Sequence, residues 1–145
     1  MNRYKFFILS LTLICVASLS AKDYYATDYY ATDFGVIADG KTLNTNSIQK
    51  GIDFVNKLGG GRLVFTAGNY LTGSIYLKSN VTLHLEEGAT LLGSTNPWDY
   101  EKDSYIHWMS MIFAVKQQNI GITGKGTING RGFQTANNMV DYIQR

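Results

Sequence analysis

The sequence predicts an all-β chain: the first coils of a right-handed parallel β-helix, preceded by a short N-terminal capping helix. Three observations predict this fold. Short β-rich runs follow one another from Gly59 to Gly93 with no helical pattern between them. Turns built from residues that tolerate a left-handed backbone or form local side-chain hydrogen bonds separate the runs. The pattern around Asn80 then returns at Asn119, 39 residues later, as expected of a chain that winds in repeated coils.

The predicted strands alternate apolar and polar residues, which directs one set of side chains into a common interior. They cover residues 63–65, 74–77, 81–85 and 89–92, and the pattern resumes at 112–115, 120–123 and 126–130. Asn80 and Asn119 precede equivalent strands and are therefore predicted to occupy the same corner of successive coils. The residues predicted to line the interior are Leu63, Phe65, Ile75, Leu77, Val81, Leu83, Leu85, Leu91, Ile120, Ile122 and Ile128.

The capping helix is predicted over residues 48–58, just before the first strands. Its apolar stripe is Ile48, Ile52 and Val55, spaced at i, i+4 and i+7. Asn46 is the predicted N-cap, and Gln49 three residues later completes a capping box. Such a helix covers the end of a coil stack, which would otherwise expose apolar side chains and free strand edges.

Residues 1–21 have the pattern of a secretory signal peptide. Basic residues precede an apolar run from Phe6 to Leu19, and cleavage is predicted before Lys22. The apolar run is short for a membrane span, which needs about 20 apolar residues; the alternative is an uncleaved anchor. The sequence thus predicts a secreted or periplasmic protein without stable membrane insertion, in which residues 22–145 form the β-helix domain.

The composition disfavours several classes of function. Loss of Arg3 and Lys5 with the signal leaves the 13 basic and 11 acidic residues of the chain nearly balanced. No block of like charge is present to bind nucleic acid. The single cysteine, Cys15, lies in the signal, and His84 and His107 are far apart in the sequence, which gives no zinc or redox-metal pattern. No metal and no cofactor are predicted.

A long loop from Ser94 to Met111 carries the candidate functional residues. Asp99, Glu101 and Asp103 lie among aromatic residues there, and carboxylates beside rings suit sugar chemistry and sugar stacking. Glycosidase carboxylates need a fixed separation across the scissile bond, which a loop does not supply. The acids are therefore interpreted as solvated, and the predicted substrate-binding residues are the rings of Trp98, Tyr105 and Trp108.

Several motifs resemble those of known β-helical enzymes. The opening DFGV at 33–36, with its following turn and helix, is similar to the N-terminal motif of pectin-lyase-like β-helices. GGGRLVFTAGNYLTG at 59–73, LKSNVTLHLEEGATL at 77–91 and NIGITGKGTING at 119–130 resemble the polygalacturonase family, glycoside hydrolase family 28. The resemblance covers about residues 30–145.

That resemblance implies a function for the whole protein. The family hydrolyses α-linked galacturonic acid or related pectic chains by inversion, without a metal. Its catalytic Asn-Thr-Asp, Asp-Asp and Gly-His-Gly motifs and its Arg-Ile-Lys substrate clamp are absent from this sequence, because the family carries them on later coils. No catalytic residue is assigned. The resemblance implies a truncated, N-terminal part of a pectic hydrolase that is monomeric when full length and inactive as this piece alone.

Two alternatives remain open. A β-eliminating pectic lyase on the same fold would need Ca²⁺ and a Lys or Arg base, yet no strand carries a cluster of aspartates for the metal. A non-catalytic carbohydrate-binding β-helix would need no such groups. The fold by itself does not separate an enzyme from a binding module.

Overall fold

The computed structural model describes residues 27–101 and 110–143; the predicted signal peptide lies outside them. Two helices, two short 3₁₀ segments and nine strands are present in these ranges. The 3₁₀ segments are Ala31–Phe34 and Pro97–Asp99, and the helices are α1, Thr45–Lys57, and α2, Gly132–Ile143. The strands are β1 Asp28–Tyr30, β2 Gly61–Phe65, β3 Gly68–Thr72, β4 Ile75–Tyr76, β5 Val81–Leu85, β6 Ala89–Gly93, β7 Ile112–Phe113, β8 Gly121–Gly124 and β9 Thr127–Asn129.

From β2 onward, successive strands along the chain enter different sheets, and every pairing between the named strands is parallel. The three sheets have the orders β1-β2-β5-β8, β3-β6-β9 and β4-β7. The turns β2–β4 and β5–β7 therefore each add one strand to each of the three sheets, and β8 and β9 continue the first two. This arrangement is a parallel β-helix, as the turn spacing predicted.

The interior is lined largely as predicted. The predicted core residues from Leu63 to Leu91 are at most 5% exposed. Ile120, Ile122 and Ile128 were also predicted to be interior, but they are 37%, 44% and 42% exposed. Ile122 is in register with Leu83, and Ile128 with Leu91. Ile122 and Ile128 therefore lie in the predicted rows of interior residues. Among the described residues, however, no further strand covers β8 or β9, so the predicted burial of these isoleucines is wrong.

Helix α1 presents the predicted stripe, since Ile48, Ile52 and Val55 are fully buried. It packs mainly on the first 3₁₀ segment, β2, β4 and β5, so it contacts the first coils. The predicted capping box is wrong. The helix begins after Asn44, and the Gln49 amide instead pairs with both backbone groups of Tyr76, at 2.8 and 3.1 Å.

Helix α2 was not predicted from the sequence. Its Thr135 hydroxyl donates to the carbonyl of Ser94, and the Asn138 amide donates to that of Thr95 at 2.7 Å. Just before the helix, the Arg131 side chain donates to the carbonyl of Gly93 at 2.7 Å. These bonds hold α2 against the residues that follow β6. No helix within 27–101 and 110–143 has the length and apolar character needed to cross a membrane.

Candidate functional site

The segment that follows β6 is held in place by its own polar side chains. The Asn96 side chain accepts a hydrogen bond from the backbone of Trp98 at the start of the 3₁₀ turn. The Asp99 carboxylate accepts from the hydroxyl of Ser94 and from the Asn96 amide, the latter at 3.0 Å. The Asp99 carboxylate thus organises this turn by hydrogen bonds within the chain, which differs from the solvated carboxylate predicted from the sequence.

Tyr100 fastens the same segment to the coil. Its ring is 7% exposed, and its hydroxyl donates to the carbonyl of Ser94 at 2.6 Å. Burial raises the pKa of the Tyr100 phenol above its usual value. Burial therefore favours the protonated phenol, which is the form that donates this hydrogen bond.

A single buried hydroxyl joins the two described ends of the loop. Ser74 is 4% exposed. Its hydroxyl accepts from the backbone N–H of Glu101 at 2.9 Å and donates to the carbonyl of Ser110 at 2.8 Å. The backbone N–H of Ser74 also donates to the carbonyl of Asp99 at 3.4 Å. The base of the loop is therefore closed against the strand residues at 74–76.

A cleft of about 270 Å³ lies between the first turn of α1 and this segment. The Trp98 side chain is 62% exposed at the cleft. The Glu101 carboxylate accepts a hydrogen bond from the hydroxyl of Tyr76 at 2.6 Å. The full lining is Leu43, Thr45, Asn46, Ser74, Trp98, Asp99, Tyr100 and Glu101.

Beside the cleft residues, two aromatic rings stack on the outer face of the β4-β7 sheet. The rings of Tyr76 and Phe113 lie 5.1 Å apart with an interplanar angle of 15°. Both were missed in the sequence analysis. The available signal was that each ring directly follows a strand isoleucine, Ile75 or Ile112, whose side chain points the other way.

The structure places one of the three predicted substrate-binding residues. Trp98 stands at the cleft together with Asp99 and Glu101. Tyr105 and Trp108 lie outside the described residues, as does Asp103. The cleft therefore combines an exposed ring, hydroxyl and amide groups, and two carboxylates, which are the groups that stack on sugars and hydrogen-bond to them.

Several of the known proteins similar to this chain are polygalacturonases, although no family model matches the chain. The exo-poly-α-D-galacturonosidase of Dickeya chrysanthemi is 39% identical over 126 residues, 76% of this chain and 20% of that protein. The chain is similar to polygalacturonases. The chain spans about a fifth of the length of this relative. The identity over 126 residues supports the family resemblance of the sequence motifs.

Solved structures give the same result. A candidate glycosyl hydrolase of Parabacteroides merdae is 46% identical with a TM-score of 0.76, covering 81% of this chain and 50% of that one. The family 28 exopolygalacturonase of Yersinia enterocolitica is 41% identical with a TM-score of 0.63, covering 72% of this chain and 21% of that one.

Similarity extends beyond hydrolases. The plasmin- and fibronectin-binding protein A of Streptococcus pneumoniae is 38% identical over 81 residues, 54% of this chain and 10% of that protein.

Proposed function

We propose that this chain is the N-terminal part of a secreted glycoside hydrolase that cleaves pectic polysaccharide, at α-galacturonosidic or related bonds, with inversion. The observation that carries the proposal is the 39% identity with an exo-poly-α-D-galacturonosidase across 76% of the chain. The parallel β-helix, with its 46% identical structural neighbour, supports it. In this proposal residues 1–21 direct export, and the protein acts as a monomer outside the cytoplasm or in the periplasm.

The cleft beside Trp98 borders the substrate in this proposal. Trp98, Tyr105 and Trp108 supply rings to sugar units, and the reacting groups come from coils beyond Arg145. Residues 22–145 then hold one flank of the substrate and carry out no bond cleavage by themselves.

The proposal is tested by comparing residues 22–145 with the longer polypeptide obtained by reading the gene past Arg145. The longer protein is expected to release reducing sugar from polygalacturonate, with inverted anomeric configuration in proton NMR, and residues 22–145 to release none. Retained configuration would indicate a retaining hydrolase, and unsaturated products would indicate β-elimination. Either result would contradict the proposed hydrolysis with inversion. Release by residues 22–145 alone would contradict the assignment of catalysis to later coils.

A non-catalytic carbohydrate-binding β-helix is the second candidate. The 38% identity with the plasmin- and fibronectin-binding protein A, whose name describes binding of proteins and not hydrolysis, favours the non-catalytic part of this candidate. Under this alternative the longer polypeptide would be retained on immobilised pectin and would release no product. The same purified protein thus separates the two candidates.

A further inference from the structure

The turn between β9 and α2 contains the one place in the sequence where asparagine is followed by glycine, Asn129-Gly130. Asn129 is the last residue of β9, and both residues are exposed. Glycine leaves its own nitrogen unhindered, because it carries no side chain. A Cβ added at Gly130 would meet no atom within 4 Å, so neighbouring groups do not crowd that side of the peptide. Attack by the Gly130 nitrogen on the Asn129 side chain therefore meets little steric resistance.

A local hydrogen bond holds the Asn129 side chain in an Asx turn. Its oxygen accepts from the backbone N–H of Arg131 at 3.1 Å, which folds the side-chain carbonyl back over the peptide bond of Gly130. Arg131 directly precedes α2, and its carbonyl accepts from the Thr135 N–H at 3.1 Å. The Asn129 oxygen thus has an N–H donor next to the positive end of a helix dipole. Both stabilise negative charge that develops on this oxygen during attack at Cγ.

We propose that Asn129 is a site of spontaneous covalent modification, namely deamidation through a succinimide. The Gly130 nitrogen loses its proton to solvent base and bonds to Cγ of Asn129. The C–N bond of the side-chain amide then breaks, and its nitrogen leaves as ammonia after taking up a proton from water. Water opens the resulting ring at either carbonyl, which gives aspartate or isoaspartate at position 129. The reaction changes no oxidation state and consumes only water.

The fold protects the comparable pair Asp39-Gly40, the one Asp-Gly pair in the sequence. The Gly40 nitrogen donates its hydrogen to the carbonyl of Asn69 at 2.8 Å, so attack would cost this bond. The Asp39 carboxylate accepts from the N–H groups of Thr42 and Lys41, which hold the pKa of Asp39 down at about 2. The carboxylate anion is a much poorer electrophile than the neutral acid or an amide. Hydrogen bonds in the folded chain thus give the two similar pairs different reactivity.

The isoaspartate product should loosen α2, because it adds one carbon atom to the main chain between β9 and the helix. The Arg131 side chain donates to the carbonyl of Gly93 at 2.7 Å, and the Thr135 hydroxyl donates to that of Ser94 at 3.1 Å. These bonds fix α2 against the end of β6, and a longer connection displaces both donors from their acceptors. The normal aspartate product keeps the main chain unchanged and should keep both bonds.

The test is to incubate the full chain at neutral pH, in buffer and in concentrated urea. Peptides are then mapped by mass spectrometry, with fragmentation that distinguishes aspartate from isoaspartate. In buffer, Asn129 should convert several-fold faster than Asn137, an exposed asparagine followed by another asparagine, and Asp39-Gly40 should stay intact. In urea, isoaspartate should form at Asp39-Gly40 as well. Conversion of Asn129 in urea only would overturn the inference, because the fold would then protect this site too.

Gly130→Ala tests the attack by the glycine nitrogen in a chain that still folds. The added Cβ has room in the structure but hinders the approach of the nitrogen to Cγ of Asn129. Conversion of Asn129 should therefore slow several-fold, with an unchanged midpoint of urea unfolding. An unchanged rate of conversion would rule out ring closure at this peptide bond.

The effect on α2 is measured on the isoaspartate form after its separation by chromatography. Asn129→Asp is the matched control, since it has the same charge and a main chain of normal length. Amide hydrogen exchange in α2 should be several-fold faster in the isoaspartate form than in this variant. Equal exchange would show that α2 stays docked and would overturn its release. None of these measurements uses enzymatic activity, so their outcome is independent of the proposed function.

Discussion

The side-chain amide of Asn119 donates a hydrogen bond to the side-chain oxygen of Asn80, with a nitrogen–oxygen distance of 3.0 Å. Both residues have positive φ, 54° and 65°. The backbone N–H of Asn80 also donates to the carbonyl of Gln118 at 3.0 Å. The two asparagines therefore turn the chain at the same corner of successive coils, which confirms the prediction from the sequence repeat.

Substitution of Asn119 should separate the two contributions made at this corner. Asn119→Gly removes the amide bond but retains a residue at ease with positive φ, at a cost of about 0.5–1.5 kcal/mol. Asn119→Ala should cost roughly 1 kcal/mol more, because alanine is strained in the left-handed region. Urea unfolding measures both, with the neighbouring Gln118→Ala as control. Equal stability of the Ala and Gly variants would contradict the backbone argument.

Gly73 controls the approach of the cleft segment to the coil. A Cβ at this position would overlap the backbone carbonyl of Asp99. Gly73→Ala should therefore displace residues 97–101 and destabilise the fold by about 1–3 kcal/mol or more. Gly130→Ala is the matched control, because its added Cβ meets no atom within 4 Å. Similar unfolding midpoints for the two variants would show that the segment adapts freely.

The turn at Asp39 predicts a particular pH dependence. The Asp39 carboxylate accepts from the backbone N–H groups of Thr42 and Lys41, at 2.7 and 2.8 Å. These bonds, that of Thr42 first, lower the pKa of Asp39 to about 2. A lowered pKa means that the stabilisation is complete above the unfolded value, about 3.9, and is lost as the pH falls towards 2.

The difference in stability between the wild type and Asp39→Asn should therefore be constant near neutral pH and shrink below about pH 4. Carbon NMR of the Asp39 carboxyl group should give a midpoint of about 2. Asp33→Asn, at an exposed carboxylate, controls for the loss of one negative charge. A midpoint for Asp39 near the unfolded value would show that the turn does not hold the charged form.

The aromatic residues of the loop should affect substrate binding more than chemistry. In the longer, active polypeptide, Trp98→Ala and Trp108→Ala should each raise KM several-fold and leave kcat mostly unchanged. The expectation follows from stacking, which contributes on the order of 1 kcal/mol beyond area burial in measured aromatic pairs. Trp98→Phe keeps a ring and should recover part of the loss. Wild-type KM in both Ala variants, on every pectic substrate cleaved, would rule out the role of the loop.

The local pattern of apolar and polar residues was sufficient to predict the strands and most of the core residues. Strict alternation places Leu83 and Leu85 on one side of β5 and His84 on the other, because the direction of a side chain in a strand is set by the pleat. The same argument placed the stripe of α1 on its buried face. It did not reveal α2, whose bonds to Ser94 and Thr95 come from a distant part of the chain.

Tertiary structure decided which partner each polar or apolar group meets. The Gln49 amide, suited to a capping box, bonds instead to the backbone of Tyr76. Ile122 has the same alternation as Leu83 but is 44% exposed, because among the described residues no strand pairs with the outer edge of β8.

The sequence alone therefore determined the coil, its corner at Asn80 and Asn119, most of its inward residues and the resemblance to polygalacturonases. The cleft came only from the three-dimensional fold, which sets Trp98 and Glu101 beside Thr45 and Asn46. The physical reason is that the orientation of a side chain is a local property of the backbone. Its neighbours, in contrast, are set when coils stack and bring distant segments together.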